Sequence, residues 1–140
     1  MFPNASFIGM YRDPVDVVGS YLNSGIYDSV ESASLRWLNS NKILMAFKRA
    51  HPKRCLIVRY EELVRNYDLK FKEVCSFCAL DYRVEAAGQE LGDVGARAHH
   101  SNVLKPVSAA SIGKGKMELN EQQIELVQRI TASFDSRSLI

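Results

Sequence analysis

The sequence has few cysteines, no long apolar run and almost no excess of charge of one sign. Its 140 residues include three cysteines, and an odd, small number favours free thiols in a reducing, cytoplasmic setting over a disulfide framework. No run approaches the roughly 18 apolar residues of a membrane helix. The first residues lack the basic segment and apolar core of an export signal. We therefore expect neither membrane insertion nor secretion.

The charge balance also excludes one large class of partner. The net charge is +2 and 24% of the residues are charged, whereas nucleic-acid binders usually carry a basic face or stripe. A local pocket for a small anion remains compatible with this balance. The length and the apolar fraction of 46% predict a single domain over residues 1–140 with a real hydrophobic core.

The first two elements are predicted from the apolar pattern and the capping residues. Residues 6–11 form a short apolar run that predicts a strand buried on both faces. A helix then opens with Asp13 as N-cap and Pro14 at the first helical position. Gly25 is a natural stop for this helix.

The middle of the chain repeats the alternation of helix and strand. A second helix is predicted from about residue 29 to 50, with Asp28 and Glu31 resembling a capping box. Residues 55–58 predict a second buried strand, which we extend through residue 63. A third helix is predicted over residues 69–79.

Residues 82–118 predict a mostly irregular loop, and the chain closes with an amphipathic helix. Asn120 is its expected N-cap, and Gln123 can close a capping box. The apolar stripe of this helix consists of Ile124, Val127, Ile130 and Phe134. Strands that alternate with helices predict an α/β fold with a short parallel sheet flanked by helices.

The corner after the first strand is the strongest candidate for chemistry. A helix that begins directly after a buried strand presents free backbone N–H groups and the positive end of its dipole. Arg12 lies at this corner with a planar fork suited to phosphate oxygens, and Ser20 follows eight residues later. Alternatively, Arg12 pairs with Asp16 and Ser20 is a small packing residue.

Residues 7–21 resemble the 3′-phosphate-binding segment of sulfotransferases that use 3′-phosphoadenosine 5′-phosphosulfate (PAPS). In that family a strand ends in Arg, then Asp or Asn, then often Pro, and a Ser follows eight residues after the Arg. The resemblance implies that Arg12 and Ser20 bind the 3′-phosphate of PAPS or of its product, 3′-phosphoadenosine 5′-phosphate (PAP). Residues 56–63 and 74–80 are similar, in the same order, to the family's next strand and helix.

Residues 112–122 resemble the family's late Gly-x-Trp-Lys segment, with Gly115 in place of the Trp. This match implies that Gly113 and Lys114 lie near the nucleotide phosphate, with Lys116 as the alternative lysine. The fold implied by the resemblance is part of the three-layer sulfotransferase fold, which is similar to that of the P-loop NTPases. The chain corresponds to the C-terminal portion of that domain.

The resemblance also implies what this portion does not carry. In the family, the loop that cradles the 5′-phosphosulfate and the catalytic base both precede the segment matched at residues 7–21. We therefore expect no catalytic residue here and no sulfuryl transfer by the isolated chain. The complete form is expected to transfer a sulfuryl group to a hydroxyl or amine acceptor of unknown identity. The alternatives are a non-catalytic nucleotide-binding or assembly module, and a plain α/β domain whose likeness is architectural.

A sheet that holds only the last two strands of this fold would leave one strand edge open. Open edges of apolar strands pair readily with other chains. We therefore expect a homodimer or a partner chain that covers this edge.

Three further candidates for chemistry are weaker. The Cys75 and Cys78 pair could suggest a metal or redox site, but its helical, apolar setting favours core packing. The adjacent His99 and His100 point apart on any regular element, which disfavours a joint role. Trp37 could stack on adenine, yet its place on an apolar helix stripe favours the core. No metal site is predicted.

Overall fold

The computed structural model describes residues 5–82 and 108–136. In chain order the elements are β1 (Phe7–Tyr11), α1 (Pro14–Asn23), α2 (Val30–Ala50), β2 (Cys55–Arg59), α3 (Tyr60–Arg65), α4 (Tyr67–Phe77), a 3-10 turn (Ala109–Ser111), α5 (Gly115–Glu118) and α6 (Glu121–Thr131). The predicted α/β class is confirmed.

The two strands form a parallel sheet in which Phe7 is aligned with Cys55 and Tyr11 with Arg59. The connection between them runs through α1 and α2, as parallel neighbours require. Their carboxyl ends therefore lie side by side. The predicted short parallel sheet flanked by helices is present.

The core lies mainly between α1, α2 and α6. One cluster joins Val15 and Val18 of α1 to Val127 of α6, and the latter two side chains are fully buried. The predicted capping box of α6 is confirmed, because the side chains of Asn120 and Gln123 each accept a backbone N–H at the other residue. The α1 cap at Asp13 and the turn at Gly25, where φ is +68°, are also as predicted.

The expectation that β1 is buried on both faces is wrong. Ile8 and Met10 are 46% and 54% exposed, whereas Tyr11 is buried. Successive side chains of a strand point to opposite faces, and the face that carries Phe7 and Tyr11 packs on the rings of Phe47 and Trp37. The apolar residues of β1 suit a strand packed on both faces. Within residues 5–82 and 108–136, however, only the face that carries Phe7 and Tyr11 packs on other rings.

Three predicted boundaries are corrected by the structure. The cap of α2 is Ser29 rather than Asp28, because Ser29 is extended and its hydroxyl accepts from the Ser32 backbone N–H. β2 stops at Arg59, since the acidic residues that follow suit the first turn of a helix. The next helix, α4, begins at Tyr67 rather than at residue 69.

The segment predicted to be an irregular loop is partly ordered. Residues 108–118 contain the 3-10 turn and α5. Residues 83–107, which include His99 and His100, lie outside the described residues. None of the described helices is both long enough and apolar enough to cross a membrane.

Candidate anion-binding site

Arg12 lies immediately after β1 and is held in one orientation from three sides. Its Nη2 donates to the Ser111 carbonyl at 2.6 Å, and its guanidinium carbon lies 4.4 Å from the centre of the Tyr60 ring. Its own carbonyl accepts from the Trp37 indole N–H at 3.0 Å. Trp37 is 4% exposed and packs on Tyr11, the core position predicted for it. The corner therefore fixes the plane of the guanidinium.

One donor of this guanidinium remains unused. Nε of Arg12 is buried and has no hydrogen-bond partner among the described residues, while the side chain as a whole keeps 21% of its surface exposed. Arginine offers five N–H donors in a rigid fork. The exposed part of the side chain can offer donors of this fork to an oxyanion at the corner.

The backbone amides at the start of α1 are not free, contrary to our expectation. The Asp13 carboxylate accepts from the N–H groups of Val15 at 2.9 Å and Asp16 at 3.2 Å. The Asp13 N–H donates in turn to Glu61 Oε1 at 3.0 Å. Because the helix satisfies its first amides with its own cap, an anion at this corner must be bound mainly by side chains.

Asp16 joins this corner to a distant part of the chain. Its side chain is 2% exposed, and its Oδ2 lies 3.6 Å from Nη2 of Arg12, so the pairing considered as an alternative is present. The two carboxylate oxygens also accept from the N–H groups of Gly113 and Gly115, each at 2.8 Å. The Arg12–Asp16 spacing is visible in the sequence. The two contacts to the glycines span 97 and 99 residues, and no local pattern predicts them.

Residues 111–118, here called the glycine segment, approach α1 closely. Gly113 has φ of +77°, a left-handed conformation that glycine adopts without strain. A Cβ on Gly115 would collide with the Val15 carbonyl. Nζ of Lys114 lies 3.0 Å from Glu118 Oε1. The structure thus places Gly113 and Lys114 beside α1, a position that was not predicted, and their contacts to phosphate stay predictions.

Ser20 is exposed on α1 and is therefore not a packing residue. Its neighbours on the helix contact the glycine segment, since a Cβ on Gly19 would lie 2.9 Å from Glu118 Oε2. Nδ2 of Asn23 donates to Glu118 Oε1 at 3.3 Å. The segment from residue 113 to 118 therefore runs along α1 beside Ser20. A bond from its hydroxyl to phosphate stays a prediction.

The two neighbouring cysteines lie in an apolar setting. Cys75 is buried in α4 and Cys78 is half-buried at its end, and both are free thiols. In residues 5–82 and 108–136, no three His, Cys, Asp or Glu side chains are grouped so that they could hold a metal ion.

Two comparisons with known proteins, one with family profiles and one with solved structures, give a match. A profile described as "Sulfotransferase family" matches residues 1–84, more than half of the chain. The chain is similar in fold to a solved structure titled "Sulfotransferase Domain from the Curacin Biosynthetic Pathway", with a TM-score of 0.69 and 20% sequence identity. The similarity covers 94% of this chain and 54% of that one, so the chain spans about half the length of the solved domain. No curated protein gives a significant match. The chain belongs to the sulfotransferase family.

Proposed function

We propose that residues 1–140 form one sulfotransferase-like unit that binds the 3′-phosphoadenosine part of PAPS or PAP. In this proposal Arg12, Ser20, Gly113 and Lys114 contact the nucleotide. The complete form of the protein transfers a sulfuryl group to a hydroxyl or amine acceptor, and PAPS supplies that activated group when bound. The three free cysteines favour a cytoplasmic location.

The hydrogen bond from Arg12 to the Ser111 carbonyl is the observation that carries this proposal. It joins the end of β1 to the start of the glycine segment across 99 residues of sequence. The two stretches that resemble the family's phosphate-binding parts are therefore neighbours in space. The unused Nε donor of Arg12 lies at the same place.

Each contributing side chain suits a phosphate in a different way. Arg12 offers a planar fork whose orientation is fixed by the Tyr60 ring. The Lys114 side chain is 52% exposed and its ammonium pairs with Glu118, whose side chain is 18% exposed; in the proposal this ammonium also contacts a phosphate oxygen. The exposed Ser20 hydroxyl can donate one hydrogen bond from the flank of α1.

A non-catalytic binding or assembly module is the second candidate, and one observation favours it. Nη2 of Arg12 is already engaged by Ser111 and Asp16, so Arg12 contributes to the fold whether or not a nucleotide is present. If that were its sole role, its removal would lower stability without a specific loss of nucleotide affinity.

Calorimetric titration of the purified chain with PAP tests the proposal. Adenosine 5′-monophosphate (AMP), which lacks the 3′-phosphate, serves as the reference ligand. We expect the wild-type chain to bind PAP more tightly than AMP. Arg12→Ala is expected to weaken PAP binding on the order of 10- to 100-fold, because hydrogen bonds to charged groups contribute about 1.5–3 kcal/mol.

Two variants separate binding from folding. Arg129→Ala removes the same charge from an exposed position on α6 and should leave PAP affinity unchanged. Arg12→Lys keeps the charge but loses the fork, so it should recover part of the affinity. If the wild-type chain binds PAP and AMP equally, or binds neither at millimolar concentration, the proposed nucleotide site is wrong and the module gains support.

A further inference from the structure

We propose that Asp16 is a positioning residue of the 3′-phosphate site, one that holds Arg12 and the glycine segment in the arrangement that receives the nucleotide. This inference rests on the proposed function. It assigns Asp16 no contact with the ligand. Asp16 pairs with the guanidinium of Arg12, and it accepts hydrogen bonds from the backbone N–H groups of Gly113 and Gly115.

The burial of Asp16 first requires an explanation. A carboxylate whose side chain is 2% exposed loses most of its hydration, and such a group is stable only when it is paired and hydrogen-bonded. Asp16 meets this requirement with two backbone N–H donors at 2.8 Å and one guanidinium at 3.6 Å. All three partners belong to the candidate site.

The glycine segment therefore resembles an anion-binding loop whose bound anion is a carboxylate of the protein itself. Successive N–H groups that converge on one point form a concavity for an anion. Here the N–H groups of Gly113 and Gly115 converge on Asp16, and the absent side chain at Gly115 lets the loop approach α1. The protein's own carboxylate takes the place that an external anion would occupy in such a loop.

Lys114 lies between the two residues whose amides bind Asp16, so its backbone has a defined position. Lys114 is fixed at both neighbouring residues, and its side chain extends outward to 52% exposure. Nη2 of Arg12 lies near Oδ2, the same carboxylate oxygen that accepts from the Gly113 N–H, while the Nε donor of Arg12 remains unused. One carboxylate thus sets the relative positions of the two cations, and its loss should impair recognition of the 3′-phosphate in particular.

Asp16→Asn tests this role through the preference for PAP over AMP. The substitution keeps the size of the side chain but removes its charge and turns an amide N–H₂ toward a backbone donor. We expect the ratio of AMP to PAP dissociation constants to fall about 10-fold, because the substitution removes the ion pair with Arg12 and weakens the charge-assisted hydrogen bonds from Gly113 and Gly115. The affinity for AMP should change less than about 2-fold, because AMP has no 3′-phosphate and changes at sites that a ligand does not contact affect its binding little. Glu121→Gln, at an exposed position on α6, is the matched control for loss of one carboxylate.

The outcomes are distinct from those of the proposed function. If the wild-type chain does not prefer PAP over AMP, the proposed function fails, and this inference fails with it. If the wild-type chain prefers PAP and Asp16→Asn keeps the full preference, only the inference is overturned. An equal loss of affinity for both nucleotides would show a general structural role and would also overturn it.

Hydrogen exchange of the wild-type chain covers the case in which Asp16→Asn does not fold. The inference requires that the amides of Gly113 and Gly115 are protected in the ligand-free protein, to a degree similar to the amides of α1. Exchange of these two amides at the rate of exposed loops, while α1 is protected, would show that the carboxylate does not hold the segment.

Discussion

The carboxyl ends of the two strands of the sheet resemble each other closely. β1 and β2 run in the same direction and are aligned residue by residue; Arg59 is the last residue of β2, and Arg12 directly follows the last residue of β1. Both Arg12 and Arg59 have a buried Nε with no partner among the described residues. Both guanidinium groups also lie over a tyrosine ring, at 4.4 Å and 5.5 Å from the ring centres.

The surroundings of the two arginines differ. Arg12 has the buried carboxylate of Asp16 at 3.6 Å, and that carboxylate holds the glycine segment. Arg59 donates instead to the Ser136 carbonyl at 3.3 Å, beyond the end of α6. An arginine at the end of a parallel strand is therefore not a site in itself. The helix that follows β1 and the segment docked on that helix make the difference.

The faces of the two strands differ as well. Met10 and Val58 are aligned across the sheet, yet Met10 is 54% exposed and Val58 is 5% exposed. Helices α3 and α4 lie against β2, whereas the corresponding face of β1 is uncovered within the described residues. The uncovered face belongs to the strand that leads to the candidate site.

Gly115→Val should have the largest effect, because it would disrupt the docking of the glycine segment on α1, which distinguishes the end of β1 from the end of β2. The new side chain would collide with the backbone of Val15 and Asp16. We expect a loss of about 1–3 kcal/mol in the free energy of unfolding, as for other overpacked sites, together with a loss of PAP affinity. Chemical denaturation and calorimetric titration measure the two effects.

Gly19→Ala is the matched control for this substitution. A Cβ on Gly19 would lie 2.9 Å from Glu118 Oε2 and 3.1 Å from Cα of Gly115, a tight contact that offsets the roughly 0.5–1 kcal/mol that a helix interior gains when Gly becomes Ala. The unfolding free energy should therefore change little. If Gly115→Val is as stable as Gly19→Ala, the close docking of the glycine segment on α1 is wrong.

Substitutions of the aligned residues Met10 and Val58 test the difference in burial between β1 and β2. Val58→Ala should cost about 2 kcal/mol of unfolding free energy, because two buried methyl groups are lost from the covered side. Met10→Ala should cost much less. We expect instead that the wild-type chain self-associates through β1 and that Met10→Lys weakens this association.

Light scattering over a range of protein concentrations measures the association. A wild-type chain that stays monomeric at high concentration would contradict the expected covering of β1 by a second copy. Equal losses of stability for Val58→Ala and Met10→Ala would contradict the difference in burial.

Ser20→Ala should have the smallest effect. The side chain is exposed, so the unfolding free energy should be unchanged, while loss of one hydrogen bond should weaken PAP binding roughly 2- to 10-fold. Ser76→Ala, at an exposed position on α4, is the control. Unchanged PAP affinity in Ser20→Ala would remove Ser20 from the proposed site and leave Arg12 to be judged separately.

The parts of the fold that were predicted from sequence depend on local chemistry. The caps at Asp13 and Asn120 are set by side chains that bond to amides two or three residues away. Local chemistry also explains the error at α2, where Asp28 and Ser29 are adjacent capping residues and the backbone conformation decides between them. Helix α3 was missed as a whole, because residues 60–63 follow a buried strand directly and were read as its continuation.

The parts that were not predicted depend on contacts distant in sequence. Arg12 was found because a short motif marks it, but the bonds of Asp16 to Gly113 and Gly115 join residues nearly a hundred positions apart. The exposure of Ile8 and Met10 depends in the same way on which elements cover β1. Residue type predicts that these side chains prefer burial, and only the assembled fold shows that they are exposed.

The central claim is that the corner after β1, and not the corresponding end of β2, binds the nucleotide 3′-phosphate. The most direct test is the arginine Nε–H signal of the 15N-labelled chain, followed by NMR during titration with PAP and assigned with Arg12→Lys and Arg59→Lys. We predict a saturable shift of the Arg12 signal with PAP, a smaller shift with AMP, and no change for Arg59. An Arg12 signal that stays fixed at saturating PAP, or a shift confined to Arg59, would contradict the claim.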